Sequence, residues 1–152
     1  MIDAQSQALI RTSREAVWRH LTRVPDWHRW YPGLHGVSTD DSVTGTGHSW
    51  RASGQLGRLL YRADQRVSDY KLLKRLEITG DRRPWLKQAQ ITFELNPDGA
   101  NCRLDIRITG EPSFGLAGRL IVSRTLKNRL QTEVEEIGNR FTQYVEQTMP
   151  HH

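Results

Sequence analysis

From about Phe114 to Gln147 no proline interrupts the chain. Within that stretch Leu126, Leu130, Val134, Ile137, Phe141 and Val145 step by four, four, three, four and four. That spacing puts all six on one face of a helix. A run of about 34 residues at 1.5 Å each makes a rod of roughly 50 Å, with Gly115 and Gly118 weakening its first turns.

Upstream the period changes to two. His48, Trp50 and Ala52 alternate with Ser49, Arg51 and Ser53. Leu59, Tyr61, Ala63 and Val67 alternate with Arg62, Asp64 and Arg66. Leu72, Leu76 and Ile78 form a third row ended by Gly80-Asp81, and Ile91, Phe93 and Leu95 a fourth. After the turn Asn96-Pro97-Asp98-Gly99 comes the cleanest row, Cys102, Leu104, Ile106 and Ile108 against Arg103, Asp105 and Arg107. Period two predicts strands with one wet and one covered face, and the short turns predict antiparallel neighbours.

Ahead of these rows lies a further strand, Gln5 to Arg11. Thr12-Ser13-Arg14-Glu15 then reads as a capping box, a hydroxyl followed three residues later by a glutamate. Val17, Trp18 and Leu21 recur at helical spacing until Pro25, and Asp26 to Tyr31 predicts a second short helix stopped by Pro32-Gly33. The expected fold class is α+β: an antiparallel sheet whose apolar face is covered by the long terminal helix.

Composition narrows the class. A chain of 152 residues fits one domain, here residues 1–148, with 149–152 as a tail or tag remnant. Mean hydropathy is −0.66, and no run approaches the roughly 20 apolar residues of a membrane-spanning helix. The N-terminus lacks a signal-peptide pattern, so a cytoplasmic location is expected. The single cysteine, Cys102, excludes an intrachain disulfide and reads as a small buried thiol. The net charge of +5 comes mainly from arginines scattered from Arg11 to Arg140 among acids, which fits solvated strand faces and gives no specific nucleic-acid site.

The order of elements resembles the START-like superfamily, also called the helix-grip or Bet v 1-like fold. Within it the chain is similar to the polyketide cyclase/dehydrase and lipid-transport group (SRPBCC). The matching residues are Ala16-Val17-Trp18, Leu21, Trp27 and Trp30-Tyr31-Pro32-Gly33, then the turn Gly45-Thr46-Gly47, Asp98-Gly99, and Gly118-Arg119-Leu120. The resemblance implies a curved sheet of six or seven strands wrapped around the long helix, with two short helices after strand 1. It also implies a cavity between sheet and helix for a lipid-like, aromatic or polyketide-like ligand.

Under that resemblance the expected cavity residues are Trp30, Tyr31, His48, Trp50, Tyr61, Phe93, Leu104, Leu126 and Leu130, aromatics and aliphatics suited to an apolar ligand. Trp27 is expected to staple the short helices to the sheet. His48 is the nearest candidate base, because it shares a strand face with Trp50. His20, His28, His35 and His48 lack the spacing of a metal site, and no phosphate loop or nucleophile elbow is present, so no cofactor is expected. Three functions follow: a carrier or sensor of a small hydrophobic ligand, a cyclase/dehydratase enzyme, or a protein-interaction module.

Overall fold

The computed structural model describes residues 2–56, 58–83, 86–112 and 116–148. Its seven strands are β1 (Ile2–Ile10), β2 (Leu34–Val37), β3 (Ser49–Leu56), β4 (Leu59–Lys71), β5 (Arg75–Arg83), β6 (Leu86–Asp98) and β7 (Asn101–Pro112). They form one antiparallel sheet in the order β1-β7-β6-β5-β4-β3-β2. From β2 to β7 each strand pairs with its successor. Helix α1 (Arg14–Thr22) and a 3-10 helix (Val24–Arg29) carry the chain from the β1 edge to the β2 edge. Helix α2 (Leu116–Gln147) closes the sequence.

Register turns the alternation into a continuous inner surface. Val67, Ile78, Ile91, Ile108 and Ala4 pair in turn across β4, β5, β6, β7 and β1, and all five are buried. Every member of the α2 stripe, from Leu126 to Val145, is also buried. Burying a side chain of that size contributes about 1.5–3 kcal/mol, so the stripe and the inner rows hold the two layers together. Helix and strand approach closely at Gly138, where an added Cβ would stand 3.6 Å from Ala8 and 3.7 Å from Ile106. At the free edge of β1, α2 satisfies the backbone of Gln5. The Gln131 amide accepts from the Gln5 N–H at 3.4 Å and donates to the Gln5 carbonyl at 2.7 Å.

The wet face carries the charges. Arg75 on β5 meets Asp69, Glu77 and Glu94 at 3.0, 3.1 and 2.6 Å, Arg51 meets Asp64 at 3.2 Å, and Arg107 grips Asp3 with two hydrogen bonds. Cys102 is buried, and burial pushes its thiol pKa upward, which suits a packing role.

Several boundaries differ from the sequence reading. The N-cap of α1 is Ser13, which accepts from Ala16 N at 3.2 Å, so the box beginning at Thr12 does not form. Thr12 instead closes a turn on the Ile10 carbonyl. Pro25 sits at the start of the 3-10 helix, where its missing N–H costs nothing, and Trp30 and Tyr31 lie beyond that helix. Leu72 belongs to no strand row. It stands 64% exposed in the β4–β5 turn, with Leu73 at φ 64°. Leu59 is 47% exposed at a hairpin tip, outside the covered face. β5 runs past Gly80-Asp81 to Arg83. β6 starts five residues before Ile91, where a bulge between Lys87 and Gln90 breaks the alternation. Phe114 and Gly115, expected in the helix, lie outside the described residues.

Candidate functional site

The site grows from the segment after α1. Trp27 donates its indole N–H to the Leu21 carbonyl at 2.8 Å, which fixes the 3-10 helix on the end of α1. Its ring then touches four other aromatics. Tyr31 stacks parallel at 6.0 Å, Trp30 lies at 5.2 Å, Phe93 of β6 at 5.8 Å and Trp50 of β3 at 6.3 Å. Trp30 continues the chain of rings to Phe141 of α2 at 4.7 Å. Offset and edge-on aromatic pairs are each worth about 0.5–1.5 kcal/mol beyond burial, so this cluster pins the short helix, the sheet and α2 together. The Trp30 Nε1 is buried with no hydrogen-bond partner among the described residues.

Beside this cluster lies a pocket of about 30 Å³. Trp27, Tyr31 and Leu34 form one wall, Tyr61, Ala63 and Gln65 of β4 another, and Ile78, Gly80, Ala89 and Ile91 of β5 and β6 the floor. Space of that size holds one or two waters, against roughly 300 Å³ or more for a pre-formed small-molecule site.

Two glycines pack beside the pocket-lining tyrosines Tyr31 and Tyr61. Gly33 has φ +73°, and a Cβ there would stand 2.2 Å from the Gln55 carbonyl oxygen. Gln55 N donates to Gly33 O at 2.8 Å, so the close approach is part of the join between the Tyr31–Gly33 turn and β3. At Gly54 a Cβ would meet the Tyr61 hydroxyl at 2.7 Å, which means the Tyr61 ring end lies over this glycine.

One polar side chain enters the apolar wall in a fixed orientation. Trp50 and Gln65 are cross-strand partners, and the Trp50 indole N–H donates to Gln65 Oε1 at 2.8 Å. An indole nitrogen can only donate, so the amide must turn its oxygen to Trp50. Its NH2 group remains as a donor with no partner among the described residues.

The nine expected residues separate into groups. Tyr31 and Tyr61 line the pocket. Trp30, Trp50 and Phe93 are buried in the ring cluster behind it. Leu104, Leu126 and Leu130 are buried between sheet and helix. His48 is half-buried one step past Trp50, its ring edge-on to the indole at 5.5 Å and its Nε2 3.1 Å from Thr39 Oγ1. It is absent from the pocket lining, which among the described residues carries no histidine or carboxylate. Trp27, expected only to staple, both staples and lines the pocket. Gln65 was missed, although the sequence signals it: a polar residue stands at the apolar step between Ala63 and Val67.

Two roomier clefts lie outside this region. One, about 330 Å³, lies among the charged residues of the wet sheet face, with Arg75 and Glu94 in its wall. The other, about 480 Å³, lies between α1, the 3-10 helix and the end of α2, beside Arg19, His20 and Arg23. Cations there offset the carbonyl ends of the helices.

Comparison with known proteins agrees with this architecture. The family model for polyketide cyclase/dehydrase and lipid transport matches residues 1–146. The chain belongs to that family. Among curated proteins none matches the chain in sequence. A START superfamily protein from Mycobacterium smegmatis superposes with a TM-score of 0.81 at 12% identity, covering 98% of this chain and 100% of that one. Zhui aromatase/cyclase from Streptomyces sp. R1128 superposes with a TM-score of 0.80 at 10% identity, covering 95% and 93%. At such identities the likeness carries the helix-grip fold, and the family carries a general role in ligand binding or cyclisation.

Proposed function

We propose that this member of the polyketide cyclase/dehydrase and lipid-transport family is a carrier or sensor. It holds a small, flat, apolar ligand between the Trp27–Leu34 segment and strands β4 to β6. The observation that supports this most is a wall made mainly of aromatic and aliphatic residues, with Gln90 at its edge, in which the Gln65 amide is held in one orientation by Trp50. Apolar burial supplies affinity in such a site, and one placed polar group supplies orientation. The Gln65 NH2 favours a ligand carrying an acceptor oxygen, because the amide oxygen is already committed to Trp50 and the nitrogen is left to donate.

The 30 Å³ pocket is the closed form of the site. Entry displaces the half-buried rings of Tyr31 and Tyr61, which stand in the pocket wall. The binding reading is favoured over an enzymatic one because proton transfer near neutral pH calls for a group such as histidine or a carboxylate. Tyr31 and Tyr61 supply phenols instead.

Native mass spectrometry of the full chain with added 1,4-naphthoquinone, a flat apolar compound with acceptor oxygens, tests this reading. The expected result is a one-to-one adduct that survives treatment with a chelator. Absence of any adduct in ligand excess, or its loss on adding the chelator, would overturn it.

A further inference from the structure

Leu59 and Leu60, at the tip of the β3–β4 hairpin, are 47% and 69% exposed. The pairing closes with Leu56 opposite Leu59 and Gln55 opposite Leu60, so both leucines stand at the end of the ladder. Successive strand residues point to opposite faces, so the tip is apolar on both sides. Single exposed leucines are ordinary, but an adjacent pair covering both faces of one tip is a projecting apolar wedge. Arg58 and Arg62 flank the pair, both exposed and neither in an ion pair among the described residues. Arg75 and Arg107, by contrast, are held by carboxylates.

We propose that this hairpin tip docks the protein on a bilayer surface bearing anionic headgroups, with Leu59 and Leu60 in the acyl boundary and Arg58 and Arg62 at the phosphates. The charge favours that occupant over an apolar protein groove. Unpaired arginines beside the wedge lose nothing at an anionic surface, and the whole chain carries +5. The next residue, Tyr61, lines the pocket, so docking would bring the pocket mouth to the membrane surface. The docking itself does not depend on the carrier reading.

Co-sedimentation of the full chain with vesicles tests the proposal, comparing phosphatidylcholine alone with a mixture containing about one-third phosphatidylglycerol. Binding is expected to the mixture and to be weak on phosphatidylcholine. The double variant Leu59→Ser/Leu60→Ser should bind at least about tenfold more weakly, from the apolar area withdrawn. Arg58→Gln and Arg62→Gln should each weaken binding by about fivefold on the mixture. Leu9→Ser alters another exposed leucine, on β1, and should bind like the native chain. The proposal is overturned if the native chain ignores the mixed vesicles, or if the double leucine variant binds them as well as the native chain. It is equally overturned if the tip leucines drive self-association in solution without vesicle binding.

Discussion

The indole N–H of Trp50 donates to Gln65 Oε1 across 2.8 Å, joining β3 to β4 on the face turned toward the helix. The contact fixes a buried ring and orients the Gln65 amide in the pocket wall. Its two partners therefore respond differently to mutation.

Gln65→Leu leaves the indole N–H buried without an acceptor, a loss of about 1–3 kcal/mol. Trp50→Phe removes the donor and keeps most of the ring. The double variant Trp50→Phe/Gln65→Leu should cost less than the sum of the two single changes, because neither polar group then remains stranded. Urea unfolding of the four proteins measures this directly. Strict additivity would mean that the bond contributes nothing.

Gly33→Ala should be among the more damaging single-atom changes in the chain. It forces a side chain into a positive φ and places Cβ 2.2 Å from a backbone oxygen that cannot swing away. A loss of about 2–4 kcal/mol is expected from strain and displacement combined. Gly45→Ala, with nothing within 4 Å of the added Cβ, should be nearly silent. Thermal melts of both variants suffice, and equal melting temperatures would show that the Gly33 turn has room to relax.

Leu130→Asp places a carboxylate in the buried stripe of α2, where Leu130 is 4% exposed. The cost should be several kcal/mol, comparable to the whole stability of a small domain. Circular dichroism should show a chain that no longer unfolds cooperatively. A soluble variant with a sharp transition would contradict the packing described for this helix.

The stripe and the cleanest strand rows were legible because burial enforces a period, and Leu126 to Val145 and Cys102 to Ile108 follow it without exception. β2 was not read from alternation. Leu34-His35-Gly36-Val37 is four residues long, with a register shift and little apolar material. The true cap, Ser13, was hidden by Thr12 beside it, since two adjacent hydroxyls offer the same chemistry and only backbone geometry selects one. At the site, Tyr31 and Tyr61 could be named from their types. Gln65 could not be assigned a role, because its role depends on a cross-strand partner fifteen residues away.

Acid should weaken the fold in two steps. Burial, reinforced by Arg19 and Arg23 and opposed by Asp26, holds the His20 pKa below its usual 6.5. Thr148 Oγ1 donates to the Val145 carbonyl, so it can only accept from His20 Nε2–H at 3.2 Å, and the bare Nδ1 is buried without a partner. Tyr144 packs edge-on against the ring. The unfolded chain therefore binds this proton more readily. The stability linked to His20 is complete above pH 6.5 and is lost as pH falls through that value toward the lower folded pKa. Asp3, held below 3.8 chiefly by its hydrogen bond with Arg107, adds a second loss as pH falls below that value. Urea midpoints between about pH 8 and pH 5 should decline in the native chain and flatten in His20→Gln. A native profile that is already flat would contradict the first step.

The most direct measurement of the binding claim is a tryptophan-emission titration with 1-aminoanthracene, a flat apolar acceptor of indole fluorescence, on the native chain and on Ala89→Leu. Ala89 is buried in the pocket floor, and the larger side chain would fill space the ligand needs. The account predicts saturable one-to-one quenching in the native chain. Affinity should be at least about tenfold weaker in Ala89→Leu, as lost pocket volume is worth more than one CH2 group. Thermal melts should show that the variant remains folded. Saturable binding of equal strength in both proteins, or none in the native chain, would contradict a ligand site between Tyr31, Tyr61 and the β5–β6 floor.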